Sequence, residues 1–242
     1  MINPPAEICP ICNTTERRYL FTLHHLRISR CARCGLVSQT VEPDTTLFQT
    51  NGAKQSSKPG SAPINTLADT KTATDCLAVL KRTPVARNNW LVVTQTNEHF
   101  AQTARQTVSQ IRTLTLNQLD LKVVAPQTLD ACIMLDPLEQ VLDLAHTMDT
   151  VWTGLAPCGL GVFALNSLEA MSRQFLRMRW NEALQHYHYY FSTQTIQALL
   201  WRFGFEQVTI YPDSSVSHLT SPATTHVIVT ARRGMRRERP LL

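Results

Sequence analysis

The sequence predicts an α/β fold, a doubly wound sheet with an antiparallel last hairpin, preceded by a small zinc ribbon. Two observations carry this reading. From about residue 66, apolar runs of strand length alternate with segments whose apolar residues recur at helical spacing. That alternation is the pattern of a parallel sheet covered on both faces. Ahead of it, four of the seven cysteines stand as two CxxC pairs separated by 18 residues. With 242 residues, 43% of them hydrophobic and 17% charged, the chain can bury a core of this size, which excludes a largely disordered protein.

The N-terminal pairs are Cys9-Pro10-Ile11-Cys12 and Cys31-Ala32-Arg33-Cys34, within a span of 26 residues. Each CxxC forms a tight knuckle that turns two sulfurs toward one ion, and this spacing is that of a four-thiolate zinc site. Cys9, Cys12, Cys31 and Cys34 are therefore the expected ligands of one structural Zn2+, and four thiolates leave no open position for catalysis. Tyr19 to Ile28 reads as the β-hairpin that closes the loop, with His24 and His25 in the hairpin rather than on the metal. Loss of a ligand is expected to release this module and leave the rest folded. Cys76, Cys132 and Cys158 read as small core residues. Residues 1–42 thus form the ribbon module, and residues 43–65, rich in Pro, Gly, Ser, Lys and Thr, form a linker.

The α/β domain is expected over residues 66–231. Leu67, Leu77 and Leu80 mark a helix that Pro84 stops, and Trp90 to Val93 is a buried strand. Asn97 is the expected cap of a helix that carries Phe100, Ala104, Val108 and Ile111 on one face. Strand-like runs follow at Arg112 to Leu116 and at Lys122 to Ala125, then a buried strand at Asp130 to Leu135. Leu138, Val141, Leu142, Ala145, Met148, Trp152 and Leu155 trace one long helical stripe. Pro157-Cys158-Gly159 turns the chain into a strand over 160–165. Near the end, Ser192 caps a helix with Ile196, Leu199, Leu200 and Phe203 inward, and Gly204 ends it in the left-handed conformation. Gln207 to Tyr211 and Thr225 to Ala231 make the closing hairpin.

No apolar run approaches the roughly 18 residues of a membrane helix, and the first residues lack a basic start and an apolar stretch. A soluble, cytoplasmic protein without membrane contact is the expectation. The formal charge is +5, and residues 231–242 hold five Arg against one Glu, so a basic tail at 232–242 accounts for most of it.

Several motifs bear a resemblance. The ribbon ends in Cys34-Gly35-Leu36-Val37. Leu138-Glu139-Gln140-Val141 is similar to an "LEHV" segment, Leu155 to Leu160 to an "LKPGG" turn, and Tyr189-Tyr190-Phe191-Ser192 with Gly204-Phe205-Glu206 to an "HxYFS … GF" close. In this order they resemble the class I S-adenosylmethionine-dependent methyltransferases that carry an N-terminal zinc-binding module. The resemblance implies a Rossmann-like sheet and S-adenosylmethionine as cofactor. It also shows departures. The family's "DxGxG" turn after its first strand corresponds here to Thr94, Gln95, Thr96 and Asn97, and no glycine occurs between residues 61 and 153. Side chains take up room where the methionine and ribose would lie. At the end of the second strand stand Asn117 and Asp120 in place of the family's ribose-binding acid. Gln140 replaces the family's His, and His186 and His188 flank Tyr187 out of register.

Three readings follow. The first is a methyltransferase-like protein with a degenerate S-adenosylmethionine site, made up of Thr94, Gln95, Thr96, Asn97, Asn117, Asp120 and Asp136, acting as a structural or regulatory subunit. Its partner is another protein or a second copy, met through the ribbon, the aromatic stretch Trp180 to Phe191 and the basic tail. The second is an active methyltransferase with an atypical loop, for which Glu139, His186, His188 and Tyr189 are the catalytic candidates. Glu139 reads equally as a solvated helix residue, and the His–Tyr cluster as a packing edge. Arg173, Arg177 and Arg179 fit a solvated helix face. The third is a nucleic-acid binder using the ribbon and tail, which is not favoured because the knuckles carry few stacking residues.

Overall fold

The computed structural model describes residues 8–23, 26–41, 66–94, 98–135, 138–166, 187–212 and 226–234. The expected linker at 43–65, His24, His25, Gln95, Thr96, Asn97, Asp136, Arg173, Arg177, Arg179, Trp180, His186 and the tail from residue 235 lie outside them. No helix among the described residues is long and apolar enough to cross a membrane.

The ribbon hairpin forms as β1 (Arg17–Leu23) and β2 (Leu26–Cys31), followed by β3 (Val37–Val41). These three strands pair antiparallel, and the outer side of β3 takes a fourth, two-residue strand from far along the chain, β8 (Tyr189–Tyr190). The order is β1-β2-β3-β8.

The second sheet has six strands: β4 (Asn89–Val93), β5 (Gln110–Leu114), β6 (Leu129–Met134), β7 (Leu155–Asn166), β9 (Phe205–Pro212) and β10 (His226–Arg233). Their order is β5-β4-β6-β7-β10-β9. The first four are mutually parallel, while β10 runs antiparallel between β7 and β9. The chain leaves β4 for the edge strand β5 and returns on the other side of β4 to β6. The carboxyl ends of β4 and β6 are thus the topological switch point, where sheets of this kind bind ligands.

Period-two alternation splits the core into two layers. Trp90, Val92, Ala131, Ile133 and Val162 face one layer with Ala73, Cys76 and Leu80 of α1 (Thr66–Arg82) and Phe100 of α2 (Glu98–Ala104). Leu91, Val93, Cys132, Met134 and Phe163 face the other, with Leu144, Met148 and Val151 of α3 (Leu144–Gly154) and Ile196, Leu199 and Leu200 of α4 (Thr193–Arg202). Cys9, Ile11, Cys12, Cys31 and Leu36 of the ribbon are buried in that same second layer. The ribbon core and the sheet core are continuous.

Several expected elements differ. The helix after β4 stops at Ala104, and Val108 and Ile111 are not part of it: the Val108 amide closes on Ala104, Ser109 donates to the Arg87 carbonyl, and Ile111 pairs with Trp90 inside β5. Lys122 to Ala125 is a turn, not a strand. Asp120 accepts from the Lys122 amide through Oδ1 and from Val123 and Val124 through its carbonyl, so these amides are spent locally and not on a ladder. The long stripe is broken as well. Leu138–Gln140 is one 3-10 turn, Leu142 is 81% exposed, and Asp143 caps α3 by accepting from the His146 amide at 2.9 Å.

Leu155 opens β7, so this strand starts five residues before the expected one. Pro157-Cys158-Gly159 is an irregularity within it, where pairing jumps from Leu129 with Leu155 to Ala131 with Leu160. Cys158 has φ +61° and is exposed, whereas Cys76 and Cys132 are buried as expected. β10 runs to Arg233, two residues into the expected tail. Arg232 donates to the carbonyls of Cys158 and Pro84, and the Arg233 guanidinium lies 4.2 Å over the Trp152 ring.

Candidate functional site

Two places in the fold gather chemistry-bearing side chains. The first is the cysteine cluster. Asn13 at φ +57° and Gly35 at φ +80° turn the chain sharply just after each CxxC, and the Asn13 and Gly35 amides donate back to the carbonyls of Cys9 and Cys31. The four sulfurs lie within 4.8 Å of one another, and the pairs Cys9–Cys34 and Cys12–Cys31 are 3.4 Å apart. Tetrahedral Zn–S bonds of about 2.3 Å require sulfurs about 3.8 Å apart. The donor set and its size fit zinc. The shared hydrogen bond draws the Cys9 thiol down to about 5 and pushes Cys34 up, while burial pushes Cys12 up. Arg202, in the last turn of α4, clamps the first knuckle by donating to the Ile11 carbonyl and, at 2.7 Å, to Asn13 Oδ1. Nothing in the sequence marks that arginine, because its partners lie about 190 residues away.

The second place is the carboxyl edge of the large sheet. Thr94 follows β4 directly, is buried, and donates its amide to the Leu114 carbonyl at 2.8 Å; the Leu135 amide likewise reaches Val93. β5 ends at Leu114, and Thr115 opens a 3-10 turn over Leu116–Gln118 by donating its amide to Gln118 Oε1. Asn117 is exposed in that turn, and the Asp120 carboxylate is engaged by its own loop. No acidic side chain therefore stands directly at the described end of β5.

Glu139 is the strongest feature of this edge. The reading of it as a solvated helix residue is overturned, since it is 1% exposed. Its Oε1 accepts the amide of Asn166, the last residue of β7, at 2.5 Å, and its carbonyl accepts the His188 amide at 2.7 Å. Burial pushes its carboxyl up to about 7, against the pull of the hydrogen bonds from Asn166. Oε2 has no hydrogen-bond partner among the described residues. Asn166 Nδ2 reaches the Tyr187 hydroxyl at 3.3 Å, and the Tyr189 hydroxyl donates to the Leu142 carbonyl at 3.4 Å. The structure thus brings Glu139 and Tyr187 together on Asn166, while His188 meets the Glu139 carbonyl only through its backbone amide and Tyr189 turns its hydroxyl to Leu142. Asn166 carries no signal in the sequence beyond being a polar residue that closes an apolar strand.

Within the aromatic stretch, the described residues Tyr189 to Phe191 are not the free contact surface expected of them. Tyr190 and Phe191 are 1% and 2% exposed, and Tyr189 and Tyr190 pair with Ser38 and Val37 of the ribbon. Their rings meet Phe191 and Tyr187 at centroid distances of 6.2 and 6.4 Å. This segment seats the ribbon on the sheet.

No protein-family model and no curated protein sequence matches the chain. Solved structures do. The protein complexed with the Trm112 methyltransferase activator of Haloferax volcanii matches with a TM-score of 0.52 at 14% identity, over 70% of this chain and 92% of that one. The chain has the methyltransferase fold. A SAM-dependent methyltransferase from Thermotoga maritima matches with a TM-score of 0.47 at 16% identity, over 69% of this chain and 92% of the other. The 1,6-didemethyltoxoflavin-N1-methyltransferase of Burkholderia thailandensis gives 0.46 at 13% identity, over 70% and 80%. At these identities the likeness is one of fold alone; in this chain a Rossmann-like sheet of six strands lies beside an antiparallel sheet, and the N-terminal segment holds a four-cysteine cluster.

Proposed function

We propose that this methyltransferase-fold protein has a degenerate S-adenosylmethionine site, is held together by one Zn2+, and works as a structural or regulatory subunit of a complex. One observation carries the reading. Residues 61 to 153, which contain β4, β5, β6 and the segments at their carboxyl ends, include no glycine. A doubly wound sheet admits a nucleotide-like cofactor where a glycine-rich turn lets the main chain come close to it. Thr94, Gln95, Thr96 and Asn97 stand in the sequence where that turn calls for glycines, and residues with a β-carbon disfavour positive φ. The end of β5 supports the same conclusion, since Asn117 is exposed and Asp120 serves its own turn in place of a ribose. Cys9, Cys12, Cys31 and Cys34 would hold the zinc, and with all four positions taken by thiolates the ion supplies folding and no chemistry.

Equilibrium dialysis with S-adenosylmethionine tests this reading. The expected dissociation constant is weaker than about 1 mM, corresponding to about −4 kcal/mol. Micromolar binding overturns it. The subunit role fails separately if gently lysed native extract holds the protein only as a free 27.3 kDa monomer.

Glu139 favours a second reading, an active methyltransferase with an atypical cofactor loop. A buried carboxyl raised to about 7 at the carboxyl edge is placed and tuned to take a proton from a methyl acceptor near neutral pH. Asp120 and Asp136 are then the candidates on the cofactor side, and His186, His188 and Tyr189 the other candidates near the acceptor. Micromolar cofactor binding together with turnover that Glu139→Gln abolishes would select this reading.

A further inference from the structure

We infer that the outer edge of the ribbon, formed by β1 and β2, binds single-stranded nucleic acid. The inference stands apart from the state of the cofactor site, since no residue of β4 to β7 enters it.

Charge is the first ground. Residues 16–33 carry Arg17, Arg18, Arg27, Arg30 and Arg33 against the single acid Glu16. Arg18, Arg27, Arg30 and Arg33 are exposed, whereas the thiolates of the metal site are largely buried. The register sets Arg18 directly opposite Arg30. Like charges opposed across a ladder are destabilising, and an anion between them removes that cost. Guanidinium pairs suit phosphate, which they can bind through two parallel hydrogen bonds.

Stacking surface is the second ground. Tyr19, Leu20 and Phe21 are 54%, 40% and 37% exposed on the outer strand; Tyr19 shares one face of the hairpin with Arg27 and Phe21 the other with Arg18 and Arg30, so the contact surface wraps around the edge of β1. Tyr19 is held in place, its hydroxyl donating to Thr22 Oγ1 at 3.2 Å and the Arg27 guanidinium lying 5.5 Å over the ring. An aromatic ring fixed beside a guanidinium plane is a platform for an unstacked base. The stacking residues lie not in the knuckles but on the strand between them.

The geometry favours this occupant over an acidic peptide added as a further strand. Among the described strands β1 is outermost, but its register slips between Tyr19 and Phe21. A bulge at Leu20 interrupts the row of edge amides that strand addition needs and leaves the side chains as the contact surface. It favours single strands over duplex because only unstacked bases can lie on the rings.

The test uses zinc-loaded full-length protein and a labelled mixed-sequence DNA single strand about 12 nucleotides long, read by fluorescence anisotropy from about 50 to 200 mM salt. Competitors are the same sequence as duplex and polyglutamate. Micromolar binding of the single strand, stronger than either competitor, is expected. Arg18→Gln with Arg30→Gln should flatten the slope of log affinity against log salt by about 1.4, or about 0.7 for each phosphate lost. Tyr19→Ala should weaken binding about tenfold at every salt concentration, and Tyr19→Phe should restore it. Zinc content and melting midpoint show whether Tyr19→Ala still folds; if it does not, the exposed arginine pair decides alone. Absence of binding at low salt overturns the inference. So does undiminished binding by the double Arg variant, which assigns the contact to the tail, and so does preferred binding of polyglutamate, which assigns the surface to an acidic protein.

Discussion

Glu139 is the residue whose chemistry departs furthest from what its neighbours in sequence suggest. The segment Leu138 to Val141 reads as the start of a helix with one polar side chain turned out. Contacts with Asn166 and His188, 27 and 49 residues further on, place the carboxyl inside, and no local pattern announces such partners. The consequence is a stability term with a definite sign. The folded protein holds the Glu139 proton to about 7, whereas the unfolded chain releases it near 4.5, so the folded state binds the proton more tightly. Its stabilising contribution is fully present below about pH 4.5 and is lost as pH rises through about 7, a loss of about 3 kcal/mol. Urea midpoints should therefore fall between about pH 5 and pH 8. Glu139→Gln keeps an acceptor for the Asn166 amide and removes the charge, so its midpoints should stay nearly level over that range. A wild-type profile as flat as that of the variant would contradict the burial argument.

At the scale of elements, legibility follows whether an element carries its own boundary signals. α4 does. Ser192 accepts from the Thr195 amide at 3.1 Å, Thr195 Oγ1 accepts from the Ser192 amide at 2.8 Å, and Gly204 takes φ +81° one residue past the cap. All three signals are local, and the helix was readable almost to the residue. Ser192→Ala should cost about 1 kcal/mol, seen as a lower melting midpoint with the native spectrum unchanged. The two CxxC knuckles were readable for the same reason. Between residues 104 and 160 the strands β5 and β6 were readable to within two residues, and the segments around them were not. Lys122 to Ala125 has the composition of a strand and is taken by Asp120 into a turn, and the Leu138 to Leu155 stripe is cut by a cap at Asp143. β8 was invisible as a strand, since two tyrosines become one only by meeting β3, about 150 residues earlier. The same non-local pairing hid the candidate site, whose parts come from the ends of β6 and β7 and from the strand that seats the ribbon.

For the whole molecule, this seating changes what the metal is expected to support. A ribbon on a linker would unfold alone when its ligands are lost, as the sequence suggests. Here Cys9, Cys12 and Cys31 are buried in one layer with Leu199, Leu200 and Phe203, and Arg202 of α4 holds the first knuckle. β3 pairs with β8, whose neighbour His188 donates to Glu139, which in turn binds the end of β7. A continuous path of contacts thus joins the cysteines to the carboxyl edge of the sheet. Removing zinc costs its binding free energy and loosens that layer too, because a buried cluster stripped of one wall exposes the rest. Chelation at neutral pH, or Cys31→Ser, should therefore lower the melting midpoint of the α/β core in a single transition. Amide exchange should rise in α4 and β8 as well as in the ribbon, while α1 and α2, which contribute to the opposite layer, keep more protection. Two separate transitions, with α4 fully protected in the metal-free protein, would show that the ribbon folds independently despite the shared core.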